Sequence, residues 1–181
     1  MLKSKIKFTY GDYKSLPESE TKRYELLEGE LIMVPSPSER HQSISRNLGF
    51  ILYQFIRDKN LGTLYYAPFD VVLGEDVVQP DIIYISEERL SIIGEEEIHD
   101  APDLIIEILS PATAERDRRY KRTLYARYGV KEYWIVDPDK QNIEVMTLGG
   151  TGFEPASIYR KREILTSSLF GGFRLNLREL F

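Results

Sequence analysis

The sequence predicts an α/β fold in which a mixed β-sheet carries a layer on each face. Three observations support it. The segments run helix, three strands, helix, strand, with further extended pieces on either side. The central strands are apolar on both sides, as strands covered on both faces are. The last two of them are separated by a long helical segment, which allows a parallel, right-handed crossover.

The 181 residues suffice for one domain, 1–181, with its own core. "SLPESETKRYELLEGELIMVPSPSERH" opens with a short helix near Pro17, and its "YELLEGELIMV" reads as a hairpin turning at Gly29. "PSPS" is a rigid turn in which Ser38 caps the next helix. Between Arg40 and Lys59, Ile44, Leu48, Ile51, Leu52, Phe55 and Ile56 recur at helical spacing and form one buried stripe. "LGTLYYAPFDVVLG", "VVQPDIIYIS" and "DLIIEILS" read as three strands. "PATAERDRRYKRTLYARYGV" is a helix stopped by Gly129, and "KEYWIVD" is the fourth strand. "NIEVMTL", "ASIYRKREILTS" and "FRLNL" read as antiparallel strands joined by glycine turns, of which "LGGTGF" is one.

Composition excludes several chemistries. The absence of cysteine removes disulfides, thiolate metal sites and cysteine nucleophiles, and fits a reducing, cytoplasmic setting. Two histidines cannot make a three-histidine zinc site. A net charge of −5 argues against coating nucleic acid along the whole surface but leaves room for a local basic patch. No apolar run approaches the roughly 18 residues of a membrane span, and the N-terminus lacks the apolar stretch of a secretory signal. The phosphate-loop, dinucleotide, zinc-protease and serine-elbow motifs are all missing from the sequence.

What stands out is charge inside apolar segments. "APDLIIEILS" carries Asp103 and Glu107, and the following helix has Lys121 in the middle of its apolar stripe. At about 100° per residue, Tyr120, Lys121, Leu124 and Tyr128 gather around Asp117, with Tyr125 just beyond. Arg118, Arg119 and Arg122 fan out opposite. Strand alternation puts Asp103, Ile105, Glu107 and Leu109 on one face. Asp81 starts the preceding strand, so neighbouring strands would bring Asp81 and Glu107 together. Close carboxylates repel, and a hard divalent cation such as Mg²⁺ relieves the repulsion while keeping waters and substrate phosphates as its other ligands.

This arrangement resembles the PD-(D/E)XK nuclease superfamily, the restriction-endonuclease-like fold. "QPDIIYI" supplies the PD at Pro80 and Asp81, and "EIL" at Glu107 stands where the superfamily has E-x-K. Leu109 occupies the lysine's place, and Lys121 suits the branches in which the lysine moves to the next helix. More narrowly, "YELLEGELIMVPSPSERHQ", "APFDVVL", "VVQPDIIYIS", "APDLIIEILSPAT", "RDRRYKRTLYARYGVKEYWIVDP" and "LFGGFRLNLRELF" are similar to the bacterial Uma-two family of "putative restriction endonucleases", over nearly the whole chain. The resemblance implies a restriction-endonuclease-like core with a mixed sheet and added β-hairpins, and a metal-dependent endonuclease acting on DNA with Mg²⁺ or Mn²⁺. It implies Asp81, Glu107 and the Ile108 carbonyl as metal ligands, Lys121 as the group that orients water and stabilises charge, and Glu30 and His41 nearby. It also makes a homodimer an expectation, since relatives of the fold often pair.

Each residue has a plainer reading beside this one. Asp81 can cap a turn after Pro80, and Glu107 with Lys121 can be a buried ion pair alone. Asp117 can be the i, i+4 partner of Lys121. Asp103 reads as a polar strand entry, His99 as a loop residue, the arginine fan as a wet helix face, and Tyr120, Tyr125, Tyr128 and Trp134 as core. The alternative function is a catalytically idle nuclease fold serving binding or assembly.

Overall fold

A computed structural model describes residues 6–17 and 22–181. The helix expected near Pro17 reaches into 18–21, outside the described residues. A short helix, α1 (Tyr10–Lys14), precedes it, started by a reciprocal cap between Thr9 and Asp12. The expected hairpin is present: β1 (Arg23–Leu27) pairs with β2 (Glu30–Val34) across Glu28 and Gly29. Both turn residues have positive φ, 50° and 80°, the left-handed pair whose twist matches that of the strands it joins.

Helix α2 (Glu39–Asp58) starts where the Ser38 side chain accepts from the His41 amide at 3.2 Å. It buries Ile44, Leu48, Leu52 and Ile56, each worth about 1.5–3 kcal/mol relative to exposure.

Two of the expected strands are each broken in two at a proline. "LGTLYYAPFDVVLG" forms β3 (Gly62–Tyr66) and β4 (Asp70–Leu73) on either side of Pro68. "VVQPDIIYIS" forms β5 (Asp76–Val78) and β6 (Ile82–Ser86) on either side of Pro80. Proline has no N–H to give a ladder, so pairing stops there and the chain passes from one sheet to the other. β7 (Glu97–Ile98) and β8 (Leu104–Ile108) follow.

The expected long helix runs as α3 (Ala114–Arg116), a π-helical turn (Asp117–Lys121) and α4 (Arg122–Tyr128), ended by Gly129 at φ 90°. Then come β9 (Glu132–Asp137), β10 (Asn142–Gly149), β11 (Gly152–Phe153) and β12 (Ser157–Arg160). β13 (Ile164–Leu165) and β14 (Leu175–Asn176) pair with each other, so "ASIYRKREILTS" is also two strands.

One sheet has the order β2-β1-β5-β4-β7, and the other β11-β10-β9-β8-β6-β3 with β12 also on β10. β8 and β9 are parallel, joined by the helical crossover; β6 with β8 and β9 with β10 are antiparallel. The larger sheet is therefore mixed, as expected. On one of its faces lie α2 and the C-terminal residues Phe170, Phe173, Leu177 and Leu180. On the other, Leu124 and Tyr125 of α4 pack with Ile105 and Ile135 and with Leu27, Val71 and Leu73 of the smaller sheet.

Buried Glu132 ties the C-terminal segment down. It accepts from Trp134 Nε1 at 2.9 Å, Ser168 Oγ at 2.6 Å and the Leu169 amide at 3.0 Å. Asp103 has a larger part than a strand entry. It is fully buried, accepts from the Ser86 amide at 2.8 Å, and pairs with Lys131 at 2.7 Å and Arg89 at 3.3 Å. No helix among the described residues is long and apolar enough to cross a membrane.

Candidate active site

The register Ile82↔Ile106, carried one residue further, sets Asp81 beside Glu107 at the end of the β6–β8 pair. Both side chains lie on the face that Ile83, Ile85 and Ile105 turn toward α4. Asp81 Oδ2 accepts from the Ile108 amide at 2.7 Å and contacts His41 Nε2 at 3.1 Å. Glu107 Oε1 accepts from Lys121 Nζ at 2.8 Å and from the Tyr125 hydroxyl at 2.7 Å. Lys121 Nζ also donates to Glu25 Oε1 at 2.8 Å and stands 3.6 Å from Asp117 Oδ1. Asp81, Glu107, Lys121 and His41 thus converge on one cleft of about 780 Å³.

Exposure divides the cluster into a floor and a mouth. The side chains of Lys121, Glu25, Glu107 and Asp117 are 2–6% exposed, whereas His41 and Asp81 are 13% and 18% exposed. Burial is the main cause that pushes the Glu107 carboxyl well above its usual range, and Asp117, Asp81 and Glu25 add to it against the pull of Lys121. Burial likewise raises Asp117, again opposed by Lys121. Burial disfavours the Lys121 ammonium, but Glu107, Glu25 and Asp117 outweigh it and hold the group protonated well above its usual range. His41 is raised in the same manner: burial opposes its charge, and the hydrogen bond to Asp81 and that carboxylate's charge prevail.

Glu30 is not brought to this cluster. It is exposed at the start of β2, paired with Leu27 next to the turn, and it does not line the cleft. Glu25 takes the place instead. It lies two residues before Leu27, on the face of β1 that Leu27 turns to the α4 core. Its Oε1 also accepts from the Gln79 amide at 2.9 Å, and its Oε2 is 3.6 Å from Arg116. Sequence reasoning names neither Glu25 nor Arg116; alternation along "RYELL" is the available signal for Glu25. At Ile108 the amide donates to Asp81 at 2.7 Å, and the backbone also interacts with the His41 imidazole.

Tyr125 is core and site at once, fully buried with its hydroxyl on Glu107, whereas Tyr120 and Tyr128 are only partly buried. The π-turn accounts for this. It holds one residue more than an α-turn, and so rotates α4 about the helix axis and carries Tyr125 from the stripe's edge to its inside. Arg118 is engaged with Asp137 and Glu144, so part of the arginine fan is structural. His99 is a mostly exposed loop residue, as expected.

The donors fit a hard divalent cation. Asp81 and Glu107 offer carboxylate oxygens at a cleft end where further acids raise one another's proton affinity, and Asp117 Oδ1 is buried without a hydrogen-bond partner. Among the described residues no three histidine, aspartate or glutamate side chains are grouped so that they could hold a metal ion between them. An open pair of carboxylates, completed by water and phosphate, is the coordination that magnesium favours.

Comparison with known proteins agrees with this architecture. A chain from Anabaena variabilis, described as "a putative nuclease belonging to DUF820", superposes with a TM-score of 0.81 at 22% identity, covering 96% of this chain and 97% of that one; at this identity the likeness is one of fold. The "Uncharacterized protein sll1609" of Synechocystis is 26% identical over 132 residues, 71% of this chain and 74% of that protein. The family described as "Uma2: Putative restriction endonuclease" matches residues 10–178, and with nearly the whole chain matched, the protein belongs to the Uma2 family.

Proposed function

We propose that the protein is a metal-dependent endonuclease that hydrolyses phosphodiester bonds in DNA. One observation carries the proposal: Asp81, Glu107 and Lys121, distant in sequence, meet in one cleft with His41 at its mouth. Asp81 and Glu107 would hold Mg²⁺ or Mn²⁺, which supplies Lewis acidity toward a phosphoryl oxygen and an acidified water when bound. Lys121 stays protonated, so its role is to donate hydrogen bonds and offset negative charge that develops at phosphorus, not to accept a proton. His41 and the Ile108 amide fix the orientation of Asp81. Tyr125 and Lys121 fix that of Glu107.

The test is nicking of supercoiled plasmid with Mg²⁺, Mn²⁺ or EDTA by the wild type, Asp81→Asn and Glu107→Gln. Cleavage by the wild type alone, and only with metal, is expected; equal cleavage by both variants would reject the assignment. The second reading, an idle nuclease fold, draws on the way Lys121 already satisfies Glu25 and Glu107. It predicts an intact plasmid in every lane and no Mg²⁺ heat by calorimetry.

A further inference from the structure

Helix α2 contains a residue that its own stability argues against. Gly49 sits mid-helix and buried, where glycine costs about 1 kcal/mol relative to alanine. A Cβ there would stand 2.5 Å from Tyr66 Cε1 and 2.6 Å from its hydroxyl. The glycine thus makes room for a ring that still leaves Tyr66 42% exposed. Beside it, Phe50 and Tyr53 are 59% and 48% exposed, although large apolar side chains are ordinarily drawn inward. All three line the cleft that holds Asp81 and Glu107.

Basic groups flank the rings. Arg46, Phe50, Tyr53 and Arg57 fall at i, i+4, i+7 and i+11 of α2 and share its exposed face. The Arg57 guanidinium lies 5.6 Å from the centre of the Tyr53 ring and also pairs with Asp58. Arg46 contacts Asn47 and Ser43 of its own helix. The platform adjoins the acids directly: Tyr66 pairs with Ile82, and the Ala67 amide donates to the Asp81 carbonyl at 3.3 Å.

We infer that this surface is a stacking platform for unpaired bases, and that the DNA the cleft accepts is single-stranded. The inference rests on the nuclease reading of the same site and adds the form of its substrate. Aromatic faces between arginines bind strands whose bases are free to stack, whereas a duplex presents only base edges and backbone. Tyr66 and Asp81 line the same cleft, so a strand stacked on the rings runs toward the acids.

Fluorescence anisotropy tests this with wild-type protein in EDTA, so the result is independent of cleavage. The probes are one labelled oligonucleotide as single-stranded DNA, as duplex and as RNA, at a fixed salt concentration. Single-stranded DNA is expected to bind at least about tenfold more tightly than duplex, and Phe50→Ala/Tyr53→Ala to weaken it by roughly tenfold or more. Gly49→Ala, which displaces the Tyr66 ring without removing it, is expected to weaken it as well. Ile158→Ala, an exposed apolar residue outside the cleft lining, serves as the control and leaves it unchanged. Duplex or RNA bound as tightly as single-stranded DNA, or wild-type affinity in the double variant, overturns the inference. So does sedimentation showing that the double variant turns a dimer into a monomer with DNA binding intact, since the platform's occupant would then be a second copy of the chain.

Discussion

Replacing Lys121 with methionine is the most direct probe of the cluster. The lysine is 3% exposed and lies 2.8 Å from both Glu25 and Glu107 and 3.6 Å from Asp117. Methionine fills much of the volume but leaves Glu107 and Asp117 without their cation and Glu25 with Arg116 alone. Removing one partner of a buried ion pair costs about 3–5 kcal/mol, because the remaining charge is neither solvated nor paired. For a domain of this size that corresponds to a fall of about 6–20 °C in the melting temperature at pH 7. The deficit has a pH signature. The Glu107 carboxyl is raised in the fold, so its ionisation costs stability above the ordinary glutamate value of 4.5, and the cost fades as pH falls toward that value. Adding Glu107→Gln is expected to return more than half of the lost stability while cleavage stays down by about 100- to 1000-fold. Calorimetry across pH with plasmid nicking at neutral pH reads both quantities. A Lys121→Met protein that melts within about 2 °C of the wild type would refute this account of the cluster.

Three further perturbations have defined outcomes. His41→Asn removes the imidazole that holds Asp81 and is expected to lower the cleavage rate by about 10- to 100-fold, with loss of the pH-rate limb in which the raised imidazolium deprotonates. Burial works against the Asp103 charge, but the hydrogen bond from Lys131, the Ser86 amide and Arg89 hold its carboxyl below the ordinary 3.8, so its contribution is present above that value and lost as pH falls through the depressed one. Asp103→Asn is expected to cost about 1–2 kcal/mol at neutral pH, discounted because Lys131 is half exposed, and to flatten the acid limb of a urea-denaturation series. Glu132→Gln leaves fewer strong acceptors for Ser168, Leu169 and Trp134, and is expected to cost about 2–3 kcal/mol and speed hydrogen exchange at the Leu169 amide.

Much of this architecture is legible in the sequence because it depends on period and punctuation. The α2 stripe, the Ser38 cap, the Gly29 hairpin and the Gly129 stop each obey local rules, and each is found. The prolines are visible too, yet apolar patterning runs straight through Pro68 and Pro80, which in the fold mark the passage between sheets. Glu25 is hidden because its partner lies 96 residues away, and no local pattern reports contact between sheets. A uniform 100° step sets Tyr125 at the stripe's edge because it does not foresee a π-turn. Glu30 rests on family likeness; it pairs with Leu27 and so shares a face with Glu25, but it sits exposed beside the turn, and Glu25 is the acid that reaches the cleft.

The bond between Lys121 and Glu25 joins the crossover helix to the smaller sheet, while that between Lys121 and Glu107 joins it to the larger one. Every acid of the floor therefore depends on a seam between strands from the beginning of the chain and a helix from its second half. A nascent or partly opened polypeptide has the same residues but no assembled centre. On the proposed nuclease reading, tying competence to completion of the whole fold is a built-in safeguard for the cell's own DNA.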